Sequence, residues 1–358
     1  MIPLFKVLIN ESASDRVKSV LESGYTGQGA VCEEFETEFQ KLVQADSKPL
    51  LMNSCTSALD LAYHLIGVDG GEVITTAQTC LATNQSLLHR NCKIIWADVD
   101  PISGCIDPDD VARKVTKNTK AIIGVDWGGR SCDWDKLKSH GIPVVQDAAH
   151  SILTYYKGKP IAQAGGDFVA WSFQSIKTLS MGDGGALLVP ESLYKEAKLL
   201  RWFYLDRDGS ESFRCAQNTK KAGFKYQSND ILAAVGVENM KLTKWAAAAH
   251  KTNACFLHYG LSGVKGVQMP MYDTGCSYWV FTILVDDRDG FIARMKEQGV
   301  ACSEVHRRND IHDAFKEFRA DLPNLDYFSA RQVNIPCGWW LSQIELVHII
   351  ESVKKCVG

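Results

Sequence analysis

Residues 167–189, DFVAWSFQSIKTLSMGDGGALLV, contain two apolar segments joined by a short polar connection. The segments DFVAWSF and GGALLV predict buried strands, because each is a short, nearly continuous apolar run bounded by turn residues. Lys177 stands in the connection between them. A lone ammonium between buried strands is costly unless it has a partner. Lys177 is therefore the first candidate for a functional side chain.

Strands and helices alternate on the N-terminal side of this stretch. The predicted strands are PLLMN, EVITT, KIIWADV, AIIGVDW and IPVVQDA. The predicted helices between them are TSALDLAYHLIG, CLATNQSLLHRN, DPDDVARKVT and DWDKLKSHG. Continuous apolar strands that alternate with helices predict a mostly parallel sheet covered on both faces.

The C-terminal part of the chain predicts a second, smaller α/β domain. After a helix near residues 193–203, a long helix from about Asp230 to Ala249 is expected to cross into it. Its predicted elements are the strand YWVFTILV, the helix GFIARMKEQG and the closing helix IELVHIIESVKK. We therefore expect a large domain over residues 1–245 and a small domain over residues 246–358.

Composition excludes several classes of protein. The net charge is −3, and no block of lysine or arginine dominates, which argues against a general nucleic-acid surface. The twelve cysteines form no C-x-x-C pair and no Cys/His cluster, so neither a disulfide framework nor a zinc site is expected. The N-terminus lacks a signal-peptide core, and no apolar run reaches the roughly 20 residues of a membrane span. We expect a cytoplasmic protein.

Polar side chains cluster where the predicted strands end. Asp147 and His150 close one predicted strand, and Ser172 and Lys177 lie at the end of another and just past it. The segment NSCTS, residues 53–57, lies between a strand and a helix, where N–H groups and hydroxyls can hold a phosphate. Taken singly, the segment NSCTS could be an ordinary helix cap, Asp147 a structural carboxylate or a metal ligand, and His150 a core histidine. Together, an amine, a carboxylate and an anion cradle predict a site for pyridoxal 5'-phosphate (PLP).

The segments QDAAHS and SFQSIKTLSMGDGG resemble those of the DegT/DnrJ/EryC1/StrS family of PLP-dependent sugar aminotransferases. Further segments resemble the family in the same order: GYTGQGAVCEEFETEF, NSCTSAL, EVITTAQTCLATNQSLL with IIWADVDP, FKYQSNDILAAVGVENM and VNIPCGWWLSQIELVHII. The resemblance covers nearly the whole chain. It implies a type I, aspartate aminotransferase-like fold and a homodimer with its active sites at the interface.

The resemblance also implies roles for individual residues. Lys177 would form the Schiff base and move protons, Asp147 would pair with the pyridinium, and His150 would lie beside the ring and its hydroxyl. Thr56, Ser57 and Ser172 would hold the phosphate, while Gly182, Gly184 and Gly185 let the backbone pass the cofactor, with Asp183 in the family's Glu position. Two positions depart from the family pattern: Cys80 replaces a ring-stacking aromatic residue, and Lys225 replaces an asparagine that reaches the phosphate from the partner subunit.

The reaction implied is transfer of an amino group from L-glutamate to a keto-sugar. A nucleotide-linked keto-deoxyhexose for cell-surface polysaccharide or lipopolysaccharide is the default acceptor, and C8 of an 8-oxo-3-deoxy-octulosonate is the alternative. The residues expected to line the substrate mouth are Arg201, Arg207, Arg214, His306, Arg307 and Arg308.

The sequence also leaves other functions open. The fold could serve a non-catalytic binding or regulatory protein, and Cys55 or Cys80 could serve a PLP lyase or desulfurase. Related sugar dehydratases carry histidine in place of the lysine, and Lys177 argues against that reaction.

Overall fold

The computed structural model describes residues 1–208 and 215–357. The strands are β1 (Leu50–Met52), β2 (Glu72–Thr76), β3 (Lys93–Ala97), β4 (Thr119–Val125), β5 (Val144–Asp147), β6 (Tyr155–Tyr156), β7 (Lys159–Pro160), β8 (Phe168–Ser172), β9 (Gly185–Leu188), β10 (Phe281–Leu284) and β11 (Gln332–Ile335). The helices are α1 (Ala13–Glu22), α2 (Ala30–Val43), α3 (Cys55–Ile66), α4 (Leu81–His89), α5 (Pro108–Lys114), α6 (Trp134–Lys138), α7 (Ile161–Ala164), α8 (Tyr194–Arg201), α9 (Asp230–Leu261), α10 (Arg288–Glu297), α11 (Pro323–Arg331) and α12 (Gln343–Cys356).

A seven-stranded sheet forms the centre of the molecule, with the strand order β1-β9-β8-β5-β4-β2-β3. The strands from β8 to β3 pair in parallel, whereas β9 runs antiparallel to both β8 and β1. The predicted mostly parallel sheet is thus confirmed. Residues 173–184 connect β8 to β9 without a crossover helix, and their backbone hydrogen bonds fold the segment back on itself, so β9 returns antiparallel to β8.

The sheet brings the ends of several strands to one edge. Asp147, the last residue of β5, lies opposite Val125 of β4 and Ala170 of β8. Ser172, the last residue of β8, lies opposite Gly185, the first residue of β9. The carboxyl ends of parallel strands are where open α/β sheets bind ligands.

The small domain has its own hydrophobic core. Residues of α9, α10, α12, β10 and β11 form it, together with Ile2 from the N-terminus. Phe315 and Phe328 belong instead to the large core around the central sheet. The boundary predicted near residue 245 lies inside α9 and stays a prediction.

Two predicted boundaries in this region were wrong. The helix expected to end near Ala249 continues to Leu261 as α9, and Ala254, Leu257 and Leu261 are buried in the small core. Apolar positions at helical spacing therefore support the extra turns. The strand expected over residues 278–285 begins only at Phe281, because Tyr278 takes a left-handed φ of 51° that no strand permits.

Within residues 1–208 and 215–357, no helix is long and apolar enough to cross a membrane.

Gly185, the first residue of β9, packs against the start of α3. A Cβ atom added there would lie 2.5 Å from the backbone nitrogen of Cys55, which cannot move without disturbing the helix start. We expect Gly185→Ala to lower the free energy of unfolding by about 2–3 kcal/mol in urea denaturation, because the clash is with backbone atoms.

Gly263→Ala is the control, because Gly263 has a left-handed φ of 77° but open space around it. It should cost only the conformational strain, about 1 kcal/mol. Equal losses for the two variants would contradict the steric argument.

Candidate active site

Lys177 lies in the connection between β8 and β9, which backbone hydrogen bonds fold into a compact turn. Ser175 N donates to Gly182 O at 3.0 Å, and Phe173 N donates to Gly184 O at 2.9 Å. Gly182 and Gly184 have φ of 87° and 143°, which glycine adopts readily. The glycines of this segment therefore fix the turn that presents Lys177.

The ε-amino group of Lys177 is enclosed although the side chain as a whole is half-buried. Burial lowers the pKa of Lys177 to about 8, and the negative charge of Asp147 opposes the shift. Burial disfavours the charged form of an amine because the ammonium loses its hydration. Near neutral pH, Lys177 therefore has a much larger fraction of nucleophilic, uncharged amine than an exposed lysine.

Asp147 is a buried carboxylate, 4% exposed, at the end of β5. Thr83 Oγ1 donates to one of its oxygens at 2.7 Å, and Ala149 N donates to the other at 3.0 Å. Burial raises the pKa of Asp147, and these two hydrogen bonds act against that rise. Within the described ranges Asp147 has no ion-pair partner inside 4.0 Å. Its charge is left for a cation that enters the site.

His150 lies three residues beyond Asp147 and is 5% exposed. Gly128 N donates to His150 Nδ1 at 3.4 Å, a long hydrogen bond that assigns the proton to Nε2. Burial, reinforced by the charge of Lys177, holds the pKa of His150 well below its usual range. His150 is therefore a neutral imidazole whose Nε2–H can donate to a ligand.

The predicted anion cradle stands at the start of α3. Ser54 caps the helix by accepting from Ser57 N at 3.1 Å, and Ser57 Oγ donates to Asn53 at 2.6 Å. Thr56 is exposed, so its hydroxyl is accessible. The first N–H groups of the helix have no partner within the helix. The hydroxyl of Ser57, which was expected to hold the phosphate, donates to Asn53 instead and so shapes the cradle. Thr56 and the helix N-terminus can bind an anion.

Ser172 is brought to the cradle by the strand register. It lies opposite Gly185, and Gly185 packs against the backbone of Ser54 and Cys55. Cys55 lies in turn within electrostatic range of Lys177 and Asp147. The structure therefore brings the amine, the carboxylate and the cradle into one site.

The two positions that depart from the family pattern lie beside this site. Cys80 is the N-cap residue of α4, is half-buried and lies within electrostatic range of Lys177. Lys225 is exposed, and with the Gln227 amide oriented to satisfy its neighbours, Lys225 Nζ donates to Gln227 at 2.6 Å. Asn53 Nδ2 donates to the carbonyl of Lys225 at 3.2 Å, which ties this segment to the cradle.

Arg201, expected at the substrate mouth, has a structural partner instead. It is 2% exposed, and its Nη1 donates to Glu36 at 2.5 Å and to the Leu51 carbonyl at 2.9 Å. This ion pair ties α8 to α2 and β1. The guanidinium of Arg201 is therefore committed to the fold and is not free to bind a substrate.

The other expected arginines have different environments. Arg207 is exposed, donates to Gln28 O at 2.8 Å and lies over the Trp202 ring. Arg308 pairs with Asp310 and Asp326, whereas Arg307 is exposed. Arg214 lies outside the described residues.

His306 is brought near Lys177 by the small domain. Its ring stacks on that of His150 at 5.6 Å between centroids, and burial lowers the pKa of His306 to about 4. The preceding residue, Val305, has a φ of 63°, which is a strained conformation for a β-branched side chain. A neutral imidazole is therefore held in place by a strained turn.

Three residues of the site escape prediction from sequence. Thr83 orients Asp147, and Trp127 packs edge-on against His150 at 5.7 Å. Trp279 lies against Lys177, with the ammonium 3.7 Å from its ring centroid. Trp279 looked like part of an ordinary strand, so its sequence context gave no functional signal. In the described part of the chain, no group of three or more His, Cys, Asp or Glu side chains could hold a metal ion.

Comparison with known proteins gives a consistent result. The model of the DegT/DnrJ/EryC1/StrS aminotransferase family matches residues 7–354. The spore coat polysaccharide biosynthesis protein SpsC of Bacillus subtilis is 29% identical, over 99% of this chain and 97% of SpsC. The sugar aminotransferase CalS13 of Micromonospora echinospora is 32% identical, with a TM-score of 0.94 over 99% of this chain and 100% of CalS13. AtS13 of Actinomadura melliaura is 34% identical, with a TM-score of 0.94 over 99% and 98%.

The buried ion pair between Arg201 and Glu36 should affect the stability of the fold. We expect Arg201→Met to lower the free energy of unfolding by about 3–5 kcal/mol, because it leaves Glu36 buried and unpaired. Urea denaturation measures the change. The double variant Glu36→Leu/Arg201→Met should recover much of the loss. Unchanged stability in the single variant would contradict a structural role.

The environment of Lys177 makes a pH prediction for the cofactor-free protein. With trace acetic anhydride, only the uncharged amine reacts, so acetylation of Lys177 should rise with pH and level off above about 8. A model amine, Nα-acetyl-lysine, should level off only above about 10.4. Mass spectrometry of the Lys177 peptide gives the midpoint. A midpoint equal to that of the model amine would contradict the enclosed environment.

Proposed function

Because the chain belongs to the DegT/DnrJ/EryC1/StrS aminotransferase family, we propose that it is a PLP-dependent transaminase acting on a sugar. The amino donor would be L-glutamate, and the acceptor a nucleotide-linked keto-deoxyhexose used for a cell-surface polysaccharide or lipopolysaccharide. The observation that carries the proposal is the juxtaposition of the enclosed amine of Lys177 with the buried, unpaired carboxylate of Asp147.

The side chains of the site have the chemistry that PLP needs: an amine, a carboxylate and a hydrogen-bond donor. Bound PLP would supply an aldehyde that condenses with amines and a ring that withdraws electrons from the substrate carbon. Lys177 would hold it covalently through its ε-amino group. Asp147 would keep a proton on the ring nitrogen, because a buried carboxylate with no other cation stabilises a positive charge beside it. His150 would donate Nε2–H to the ring hydroxyl.

The phosphate would be held by Thr56, Ser172 and the N-terminus of α3. A helix N-terminus favours an anion through its free N–H groups and its dipole. We further propose that the protein is a homodimer in which Lys225 reaches the partner's phosphate as a point charge. The exposure of its side chain supports that role.

Lys177 would also move the proton at the substrate carbon. Its lowered pKa keeps part of the amine uncharged, which a general base requires. His306 would line the side of the site that faces the small domain, and Arg207 and Arg307 would lie at its mouth. The cytoplasmic location expected from the free cysteines also remains a proposal.

The first half of the reaction can be tested without an acceptor. Protein reconstituted with PLP should show the visible absorption of lysine-bound PLP. It should release about one 2-oxoglutarate per site from L-glutamate and lose that absorption. Before glutamate is added, Lys177→Ala should lack that absorption, and it should release no 2-oxoglutarate, because it lacks the amine. Lys265→Ala, at an exposed lysine of the small domain, is the control and should behave as the unaltered protein. No absorption in reconstituted protein would overturn the enzyme proposal in favour of a non-catalytic binding protein.

An acceptor screen separates the two substrate classes. Protein first loaded with the amino group should return it to UDP-, dTDP- or GDP-keto-hexoses, with recovery of the visible absorption. Turnover of 8-oxo-3-deoxy-octulosonate without turnover of nucleotide sugars would contradict the default and support the alternative. Sulfide or alanine release from cysteine would instead indicate a lyase that uses Cys55 or Cys80.

A further inference from the structure

Trp279 makes the closest aromatic contact with Lys177. The ammonium lies 3.7 Å from the centroid of the indole ring, within the range of a cation–π interaction. The same side chain is 3% exposed, so little water competes for the contact. An aromatic face that is shielded from water binds an ammonium more strongly than an exposed one.

The indole is fixed on several sides. Its Nε1 donates to the carbonyl of Ile176 at 2.9 Å, which ties it to the residue that precedes Lys177. The rings of His150 and Phe5 stack on it at 4.0 and 4.9 Å between centroids. Trp279 therefore cannot swing away from Lys177 without breaking a hydrogen bond and two ring contacts.

The other groups around the amine differ in charge. The carboxylate of Asp147 acts on Lys177 in the direction that favours the ammonium. His150 and His306 are neutral imidazoles whose own protonation the ammonium opposes. Asp147 would be occupied by the cofactor in the loaded protein. The ring of Trp279 would still be available to the free amine.

We propose that Trp279 is a positioning residue that holds the ε-amino group of Lys177 over its ring while that amine is free and protonated, an inference that rests on the proposed function. The ring face attracts the ammonium but makes no hydrogen bond with it, so the amine can leave as soon as it loses its proton. Lys177 thus stays within reach of the substrate carbon after the substrate amine has displaced it. The indole N–H fixes the backbone from which Lys177 projects.

The test uses the cofactor-free protein and trace acetic anhydride, with the Lys177 peptide followed by mass spectrometry across pH. Loss of the aromatic face should make the ammonium less stable. In Trp279→Leu we expect the midpoint of Lys177 acetylation to fall by about one pH unit. Trp279→Phe, which keeps a ring, should recover most of the shift. Phe5→Leu, which alters the packing of Trp279 without removing its ring, is the control and should leave the midpoint in place.

Loss of folding gives the opposite result. An unfolded chain exposes Lys177 and raises its midpoint towards about 10.4, so a fall cannot come from unfolding. Trp279→Met, which is closer to the indole in length, gives a second measurement with the same expected fall. An unchanged midpoint in the Leu and Met variants would overturn the inference, as would a fall in Trp279→Phe equal to that in Trp279→Leu.

Different results would contradict the role of Trp279 and the proposed transaminase function. A protein that releases 2-oxoglutarate from L-glutamate, but whose Trp279→Leu variant keeps its midpoint, contradicts only the role of Trp279. A protein that shows the shift but binds no PLP contradicts the proposed function.

Discussion

The electrostatic relation between Lys177 and Asp147 is the constraint on which the site depends. Burial pushes both groups towards their neutral forms, lowering the pKa of the amine and raising that of the carboxyl. Each would be more stable in water, so neither position is explained by folding alone. A cofactor bonded covalently to the amine would leave no ammonium to bury, and a positive charge on that cofactor would stabilise the buried carboxylate. The proposed function follows from that resolution.

The remaining architecture serves to hold these two groups in place. Parallel pairing of β5 with β4 and β8 fixes Asp147, and Thr83 orients its carboxylate from α4. The antiparallel strand β9 returns the chain beside β8, which creates the tight turn that carries Lys177. The same strand begins at Gly185, whose lack of a side chain lets the start of α3 approach. The pairing of the strands therefore determines the geometry of the site.

Sequence pattern predicts the strand ends, and with them the placement of Lys177, Asp147 and Ser172, because strand length and apolar runs are local properties. It does not predict contacts between distant segments. Trp279 meets the Lys177 turn from more than a hundred residues along the chain, and the strand expected there concealed it. Arg201 looked like a substrate ligand because its partner Glu36 lies 165 residues away. Such pairings depend on tertiary packing, which local patterns do not contain.

The most direct test of the account is to find the lysine that binds the cofactor. Protein reconstituted with PLP is treated with borohydride, which reduces an imine to a stable secondary amine. The peptides of the reduced protein are then mapped by mass spectrometry. The account predicts one pyridoxyl group per chain, on Lys177, and its loss when L-glutamate is added before reduction. A pyridoxyl group on Lys225 or another lysine, or none at all, would contradict it.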